Sequence, residues 1–119
     1  MIASNMHHST PDLFQGKSQA VRDLYHLLLG ELNKLGPVRE TKKAISVSFE
    51  SRKAFASALI RNRSIKLVLR TNHKIASPRV RNMEHVAKKS FDHTIFLESK
   101  SDIDEELIKW LENAYDASK

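Results

Sequence analysis

The 119-residue chain carries a net charge of +6, with 40% apolar and 29% charged residues, which is typical of one soluble domain and excludes a disordered or membrane protein. It contains no cysteine, which excludes disulfides, thiol nucleophiles and thiolate metal sites and fits a reducing cytosol. Because no apolar stretch approaches the roughly 20 residues that span a bilayer, and the N-terminus lacks a signal-peptide pattern, we expect a cytoplasmic protein without membrane contact.

The chain is predicted to begin with a flexible tail, residues 1–9, followed by a single α+β domain over residues 10–119. Thr10 and Pro11 favour the first turn of a short helix, since threonine caps helices and proline suits the first helical position. Gly16 is expected to end that turn.

The first long helix is predicted to run from Ser18, its N-cap, to Leu35. The following Gly36-Pro37 pair is a strong stop, because glycine adopts left-handed backbone and proline cannot continue a helix. The apolar stripe at helical spacing consists of Val21, Leu24, Tyr25, Leu28, Leu32 and Leu35.

Three short strands follow, within residues 42–49, 54–60 and 65–70, and their short polar connections predict an antiparallel meander. Alternation of apolar with small or charged residues is typical of strands with one buried face. The residues predicted to face the core are Ile45, Val47, Phe49, Phe55, Leu59, Ile65, Leu67 and Leu69. The opposite face is predicted to present Ser46, Ser48, Ala56, Ala58, Lys66, Val68 and Arg70, with Thr94 and Phe96 from a fourth strand.

Residues 71–92 are interpreted as a long basic excursion, because Ser77-Pro78 breaks any element and few apolar residues occur there. Within it, residues 82–89 are read as a helical turn or a loop. The fourth strand is predicted from His93 to Glu98.

The last helix is predicted to begin at Ser101 or Asp102, and the acids of its first turn suit the positive end of the helix dipole. Its apolar stripe contains Ile103, Leu107, Trp110, Leu111, Ala114 and Tyr115. The predicted fold is therefore α+β: an antiparallel sheet of about four strands, with an N-terminal and a C-terminal helix packed on one face.

This order of elements resembles the domain of unknown function 5655 family, small prokaryotic domains sometimes labelled "predicted transport protein". The resemblance covers about residues 10–118. It implies no catalytic residues. Members that are appended to nuclease-like domains favour nucleic acid as a partner, by analogy. The residues that carry it are Thr10-Pro11-Asp12-Leu13-Phe14-x-Gly16-Lys17, Phe55-Ala56, Pro78-Arg79, His93-Thr94-Ile95-Phe96-Leu97 and Asp102-Ile103-Asp104-x-Glu106-Leu107-x-x-Trp110-Leu111-x-x-Ala114-Tyr115.

Positive charge is concentrated in the middle of the chain. Residues 39–89 carry fourteen Lys/Arg against three acids, a net charge of +11, whereas residues 90–119 carry three Lys against eight acids. Such asymmetry is typical of a protein that binds a polyanion, although a lysine-rich soluble surface gives the same pattern. The candidate anion-binding or nucleic-acid-binding residues are Lys66, Arg70, Arg61, Arg63, Arg79, Arg81, Lys88 and Lys89.

The sequence shows no catalytic or metal signature, so we expect no cofactor and no metal site and leave enzymatic activity open. His73, His85 and His93 lack the spacing of paired ligands, and no glycine lies in a phosphate-binding loop. Two functions remain: a module that binds nucleic acid or another polyanion through a basic sheet face, and a protein-interaction or homodimerisation module. The second rests on the alanines assigned to the same face, since a small-residue sheet face suits a dimer contact.

Overall fold

The computed structural model describes residues 13–119, so the tail over residues 1–9 and the start of the predicted turn at Thr10 and Pro11 lie outside the described residues. The rest of that turn, residues 13–16, ends at Gly16, whose φ is +78°. Within that range the chain forms two α-helices and six strands. In chain order these elements are α1 (Gln19–Asn33), β1 (Arg39–Lys42), β2 (Ser46–Glu50), β3 (Ala54–Ile60), β4 (Ile65–Thr71), β5 (Asn82–Ala87), β6 (Ser90–Leu97) and α2 (Glu105–Ala117).

The strands form one antiparallel sheet in the order β1-β2-β3-β4-β6-β5. One face of this sheet and both helices enclose the hydrophobic core, which confirms the α+β class and the antiparallel sheet. The count of about four strands was wrong, because it lacked β1 and β5. Both are edge strands whose residues are mostly exposed, so neither shows the alternation that marks a half-buried strand.

The first helix begins as predicted, with the Ser18 Oγ accepting a hydrogen bond from the Val21 amide at 3.2 Å. The described helix buries the predicted stripe apart from its last member. It ends at Asn33 and not at Leu35, so the chain has already left the helix when it reaches Gly36.

Gly36 allows the close approach of α2 to the end of α1. Its φ is +141°, and a Cβ at this position would lie 2.5 Å from the Tyr115 hydroxyl oxygen. That hydroxyl donates a hydrogen bond to the Pro37 carbonyl at 3.1 Å, so it has little freedom to move aside. Glycine is therefore required here both for its backbone conformation and for the space.

The Gly36→Ala variant is expected to lose about 1–3 kcal/mol of unfolding free energy, because the methyl group strains the backbone and displaces the Tyr115 ring. Guanidinium chloride unfolding measures the change. Gly30→Ala is the matched control, since Gly30 is helical with open space around it and alanine there should stabilise by about 0.5–1 kcal/mol. Equal effects of the two changes would contradict the requirement for glycine at position 36.

A β-bulge at the start of β3 overturns the predicted faces of that strand. Phe49 pairs with Ala56 while Glu50 pairs with Ala54, which leaves Phe55 as an extra residue. Phe55 and Ala56 are consequently both buried, and beyond the bulge the core-facing residues are Ala58 and Ile60. The inward assignment of Leu59 and the outward assignment of Ala56 and Ala58 were therefore wrong, and the open face carries Ser57 and Leu59 instead.

The start of β2 required a second correction. Ile45 was predicted to face the core, but it precedes the strand and is 60% exposed. The Lys43 amide donates to the Ser46 carbonyl at 2.8 Å, which places Ile45 in the turn between β1 and β2. Val47 and Phe49 are fully buried as predicted, and β4 alternates as predicted, with Ile65, Leu67 and Leu69 inward.

Residues 72–81 form a crossover between two parallel strands, because β4 and β5 both pair antiparallel with β6, which lies between them. The crossover packs on the helix-covered face, where Ile75 and Val80 contact the core. The interpretation of residues 71–92 as one excursion was wrong in its second half, since Asn82–Ala87 is strand β5 and the fourth predicted strand begins earlier, at Ser90.

The last helix begins later than predicted. Asp104 is the N-cap of α2, its carboxylate accepting from the Leu107 amide at 3.0 Å, and a 3₁₀ turn over Lys100–Asp102 precedes it. Burial of the predicted apolar stripe is confirmed for Leu107, Trp110, Leu111, Ala114 and Tyr115. No helix within residues 13–119 is both long and apolar enough to cross a membrane.

Candidate functional site

The sheet face opposite the helices, hereafter the open face, is covered by no described part of the chain. Its side chains are half-buried by one another and form rows across the strands. One row runs Ser46, Leu59, Lys66 and Phe96, and the next runs Ser48, Ser57, Val68 and Thr94. The open face therefore consists of serine and threonine side chains, among which a few larger side chains protrude.

Several cations meet at one end of this face. Arg61 and Arg81 line a cleft of about 400 Å³ together with Phe96, Arg79 and two acids. The Arg61 guanidinium carbon lies 5.4 Å from the centre of the Phe96 ring. Lys66 is the cross-strand partner of Phe96, so the two side chains are neighbours on the open face.

Lys43 extends this cluster to β2, and sequence reasoning missed it as a candidate. It lines a groove of about 290 Å³ with Lys66, Ser46 and Leu59. The Lys42-Lys43 pair just before the strand was the signal available, but the turn that places Lys43 beside Ser46 is not visible in the sequence. Lys43, Arg61, Lys66, Arg81 and Phe96 are called the basic end of the open face.

Arg79 lines the same cleft but is held by α2. Its guanidinium donates to the Asp104 carboxylate at 2.9 and 3.1 Å, to the Glu106 carboxylate at 3.1 Å and to the Asp102 carbonyl at 2.7 Å. It also lies over the Trp110 ring, 5.5 Å from its centre. The pKa of Asp104 is lowered, first by the Leu107 amide and further by Arg79. Arg79 therefore ties the crossover to the start of α2.

Arg70 lies at the opposite end of the open face and is also paired. Its Nε and one terminal nitrogen donate to the two oxygens of Asp92 at 2.8 and 3.0 Å, and Asp92 is its cross-strand partner. That hydrogen bond raises the pKa of the guanidinium. Four residues of strand separate Arg70 from Lys66, roughly 13 Å, so Arg70 does not join the basic end.

The remaining candidates are exposed and dispersed. Arg63 lies in the turn between β3 and β4, next to Arg61. Lys88 and Lys89 lie in the turn between β5 and β6, at the end of the sheet that holds Arg70. Lys89 lines a separate cleft of about 220 Å³ with Lys53 and Arg70. The structure thus gathers Arg61, Lys66 and Arg81 from the eight candidates and separates Arg70, Lys88 and Lys89 from them.

His93 is fully buried on the helix-covered face and supports the crossover. Its Nε2 accepts a hydrogen bond from the Ile75 amide at 3.0 Å, so that nitrogen carries no proton and the ring is neutral. Its Nδ1–H points at the Leu69 carbonyl, 3.4 Å away. His73 and His85 are exposed, and no three His, Asp or Glu side chains within residues 13–119 are arranged as metal ligands.

Comparison with known proteins gives one match. No curated protein and no solved structure matches the chain. The model of a family described as "Domain of unknown function (DUF5655)" matches residues 10–118. That range includes both helices and all six strands of the described chain, with the open face and the crossover. The chain therefore belongs to the domain of unknown function 5655 family, as its sequence motifs indicated.

Proposed function

We propose that this protein is a cytoplasmic binding module that takes nucleic acid or another polyanion at the basic end of its open face. The observation that carries the proposal is the convergence of Arg61, Lys66 and Arg81 around the half-exposed ring of Phe96. Lys43 adds a further cation at the far end of the same row. Phosphate groups are bound in proteins mainly by such clusters of lysine and arginine.

The charges of the basic end are available to a ligand. In the described chain none of its four cations forms an ion pair, whereas Arg70 and Arg79 are each held by carboxylates. Two acids border the cleft, Glu98 and Asp102. The Asp102 carboxylate accepts from the amides of Glu98 and Ser99 at 2.7 and 3.1 Å and keeps its charge, so two carboxylates border a basic end that carries four cations. A polyanion therefore meets a local excess of positive charge.

The protein is expected to bind fluorescently labelled DNA or RNA at ~50 mM salt and to lose about 10- to 100-fold in affinity at ~200 mM, as three to four phosphate contacts require. Fluorescence anisotropy with single-stranded and double-stranded probes measures this. The double change Lys66→Glu with Arg81→Glu is expected to reduce the affinity at least 10-fold and to flatten the salt dependence, because it reverses the charge at the centre of the site.

A matched control variant distinguishes binding at the basic end from general electrostatic attraction between the positively charged protein and the probe. Lys53→Glu with Lys89→Glu makes the same change in net charge at the opposite end of the sheet, where the two lysines line one cleft. We expect this control to weaken binding by no more than a few-fold. Equal losses in the two double variants would remove the basic end as a site, and a failure to bind any probe at ~50 mM salt would overturn the proposal.

Self-association is the second candidate, and one observation supports it. The edge strand β5 is exposed along its whole length and carries the large apolar side chains Met83 and Val86. An edge strand of this kind is able to pair with another chain. The argument from alanines no longer applies, since Ala56 and Ala58 face the core. Light scattering distinguishes the functions: a dimer that persists at high salt supports self-association, and a monomer contradicts it.

A further inference from the structure

We infer that the ligand of the basic end is single-stranded nucleic acid, one base of which stacks on Phe96. This inference rests on the proposed function and adds to it the form of the ligand and the role of the aromatic ring. Proteins bind single strands by combining a cationic surface with an aromatic side chain on which a base can stack.

The position of Phe96 suits this role. It lies on the open face, is only half-buried, and is the one aromatic side chain that strands β1–β6 place there. The other aromatic side chains of the sheet, Phe49, Phe55 and Phe91, belong to the helix-covered side. The alternation of the strand turns Ile95 and Leu97 into the core and Phe96 to the open face, so the ring of Phe96 is not part of the core.

The surroundings of the ring supply the other contacts of a nucleotide. Arg61 already places a cation over Phe96, with its guanidinium carbon 5.4 Å from the ring centre, so positive charge lies beside the ring on which a base would stack. The Arg61 side chain is exposed, so it can move aside for a base or stack on it in turn. Lys66 on one side and Arg81 on the other stand where the phosphates before and after that base would pass.

The same geometry disfavours a duplex. The major groove of DNA admits a protruding helix or a two-stranded ribbon, and in a duplex the faces of the bases are already stacked on their neighbours. Both described helices lie on the other side of the sheet, and the basic end is a row across a sheet surface. A flexible single strand follows such a row and offers a base to the ring.

The test compares two probes and two variants of the full chain. A labelled single-stranded oligonucleotide and a hairpin duplex of matched length are titrated by fluorescence anisotropy at ~50 mM salt. The unchanged protein is expected to bind the single strand at least 10-fold more tightly than the duplex. Phe96→Leu should weaken single-strand binding by about 5- to 150-fold without changing its salt dependence, and Phe96→Tyr should bind as the unchanged protein does.

The possible outcomes distinguish failure of this inference from failure of the proposed function. Two results would overturn the inference and leave polyanion binding in place. The first is equal affinity for both probes. The second is a Phe96→Leu variant that binds the single strand normally while the double variant Lys66→Glu with Arg81→Glu does not. Absence of binding to either probe overturns both. The melting temperature of Phe96→Leu is measured alongside, and a loss of affinity with an unchanged melting temperature supports the role of the ring in binding.

Discussion

Replacing Trp110 with alanine is expected to lower the free energy of unfolding by about 3–5 kcal/mol, because it empties the space of a large buried ring. Trp110 lies on α2, is 8% exposed and belongs to the single core between the helices and the sheet. Its ring also supports the Arg79 guanidinium, so the change loosens the crossover together with the core. Guanidinium chloride unfolding followed by far-ultraviolet circular dichroism measures the loss.

Two variants show where this loss comes from. Trp110→Phe keeps an aromatic ring in the core and is expected to cost less than Trp110→Ala. Arg79→Ala removes the hydrogen bonds to Asp104 and Glu106 and is expected to cost about 1–2 kcal/mol, since those carboxylates are half-exposed. In the Trp110→Ala background the effect of Arg79→Ala should shrink, and strict additivity would contradict a coupled pair.

Lowering the pH from 7.5 to 5.5 is expected to destabilise the protein through His93. Burial lowers the pKa of His93 below 6.5, with a further contribution from His73, while the Leu69 carbonyl and Asp92 act in the opposite direction. Below about pH 6.5 the unfolded chain therefore binds a proton that the folded protein does not. The stabilising effect is complete above that pH and declines by up to about 1.4 kcal/mol per pH unit below it.

The pH dependence is measured by denaturant unfolding at several values between 5.5 and 7.5. In His93→Gln the side-chain amide can still accept from the Ile75 amide and donate to the Leu69 carbonyl, but it does not titrate. This variant is expected to have a flatter pH profile whatever its stability at pH 7.5. His85→Gln replaces an exposed histidine and should keep the original profile. A steep profile in His93→Gln would exclude His93 as the source.

The elements predicted correctly are those whose pattern is set by burial alone. In β4, the buried residues Ile65, Leu67 and Leu69 alternate with less buried ones because one face of a central strand meets the core and the other does not. In α1, the cap at Ser18 and the apolar stripe mark the same helix. These signals are local and redundant, so the sequence is sufficient to identify them.

The elements predicted wrongly depend on the partner strand or on exposure. The bulge at Phe55 results from pairing with β2, where the adjacent residues Phe49 and Glu50 pair with positions on β3 that are two residues apart. The sequence of β3 alone does not indicate this pairing. A prediction that omits the bulge assigns the residues of β3 beyond it to the wrong face of the sheet. Strand β5 is exposed on both faces, so its sequence has no alternation, and only its hydrogen bonds to β6 define it.

The sequence alone predicted the basic composition of the candidate site but not which of its side chains lie together. The sequence showed that the middle of the chain is basic. It could not show that Arg70 and Arg79 have carboxylate partners, whereas Arg61, Lys66 and Arg81 form no ion pair with any residue from 13 to 119. Those partners come from distant elements, Asp92 on β6 and Asp104 at the start of α2. Pairing across the fold therefore distinguishes the arginines that join elements of the structure from those that we propose bind a ligand.

The order of strands has a consequence for incomplete chains. Although β6 is the last strand along the chain, it lies inside the sheet, and β4 would be an edge without it. A chain that stops in the crossover would expose the backbone of Ile65–Thr71, an apolar strand that carries no charge on its inward face. Such an edge recruits other copies and promotes aggregation. Strand β6 thus covers the edge of β4, and we expect a chain that lacks it to aggregate.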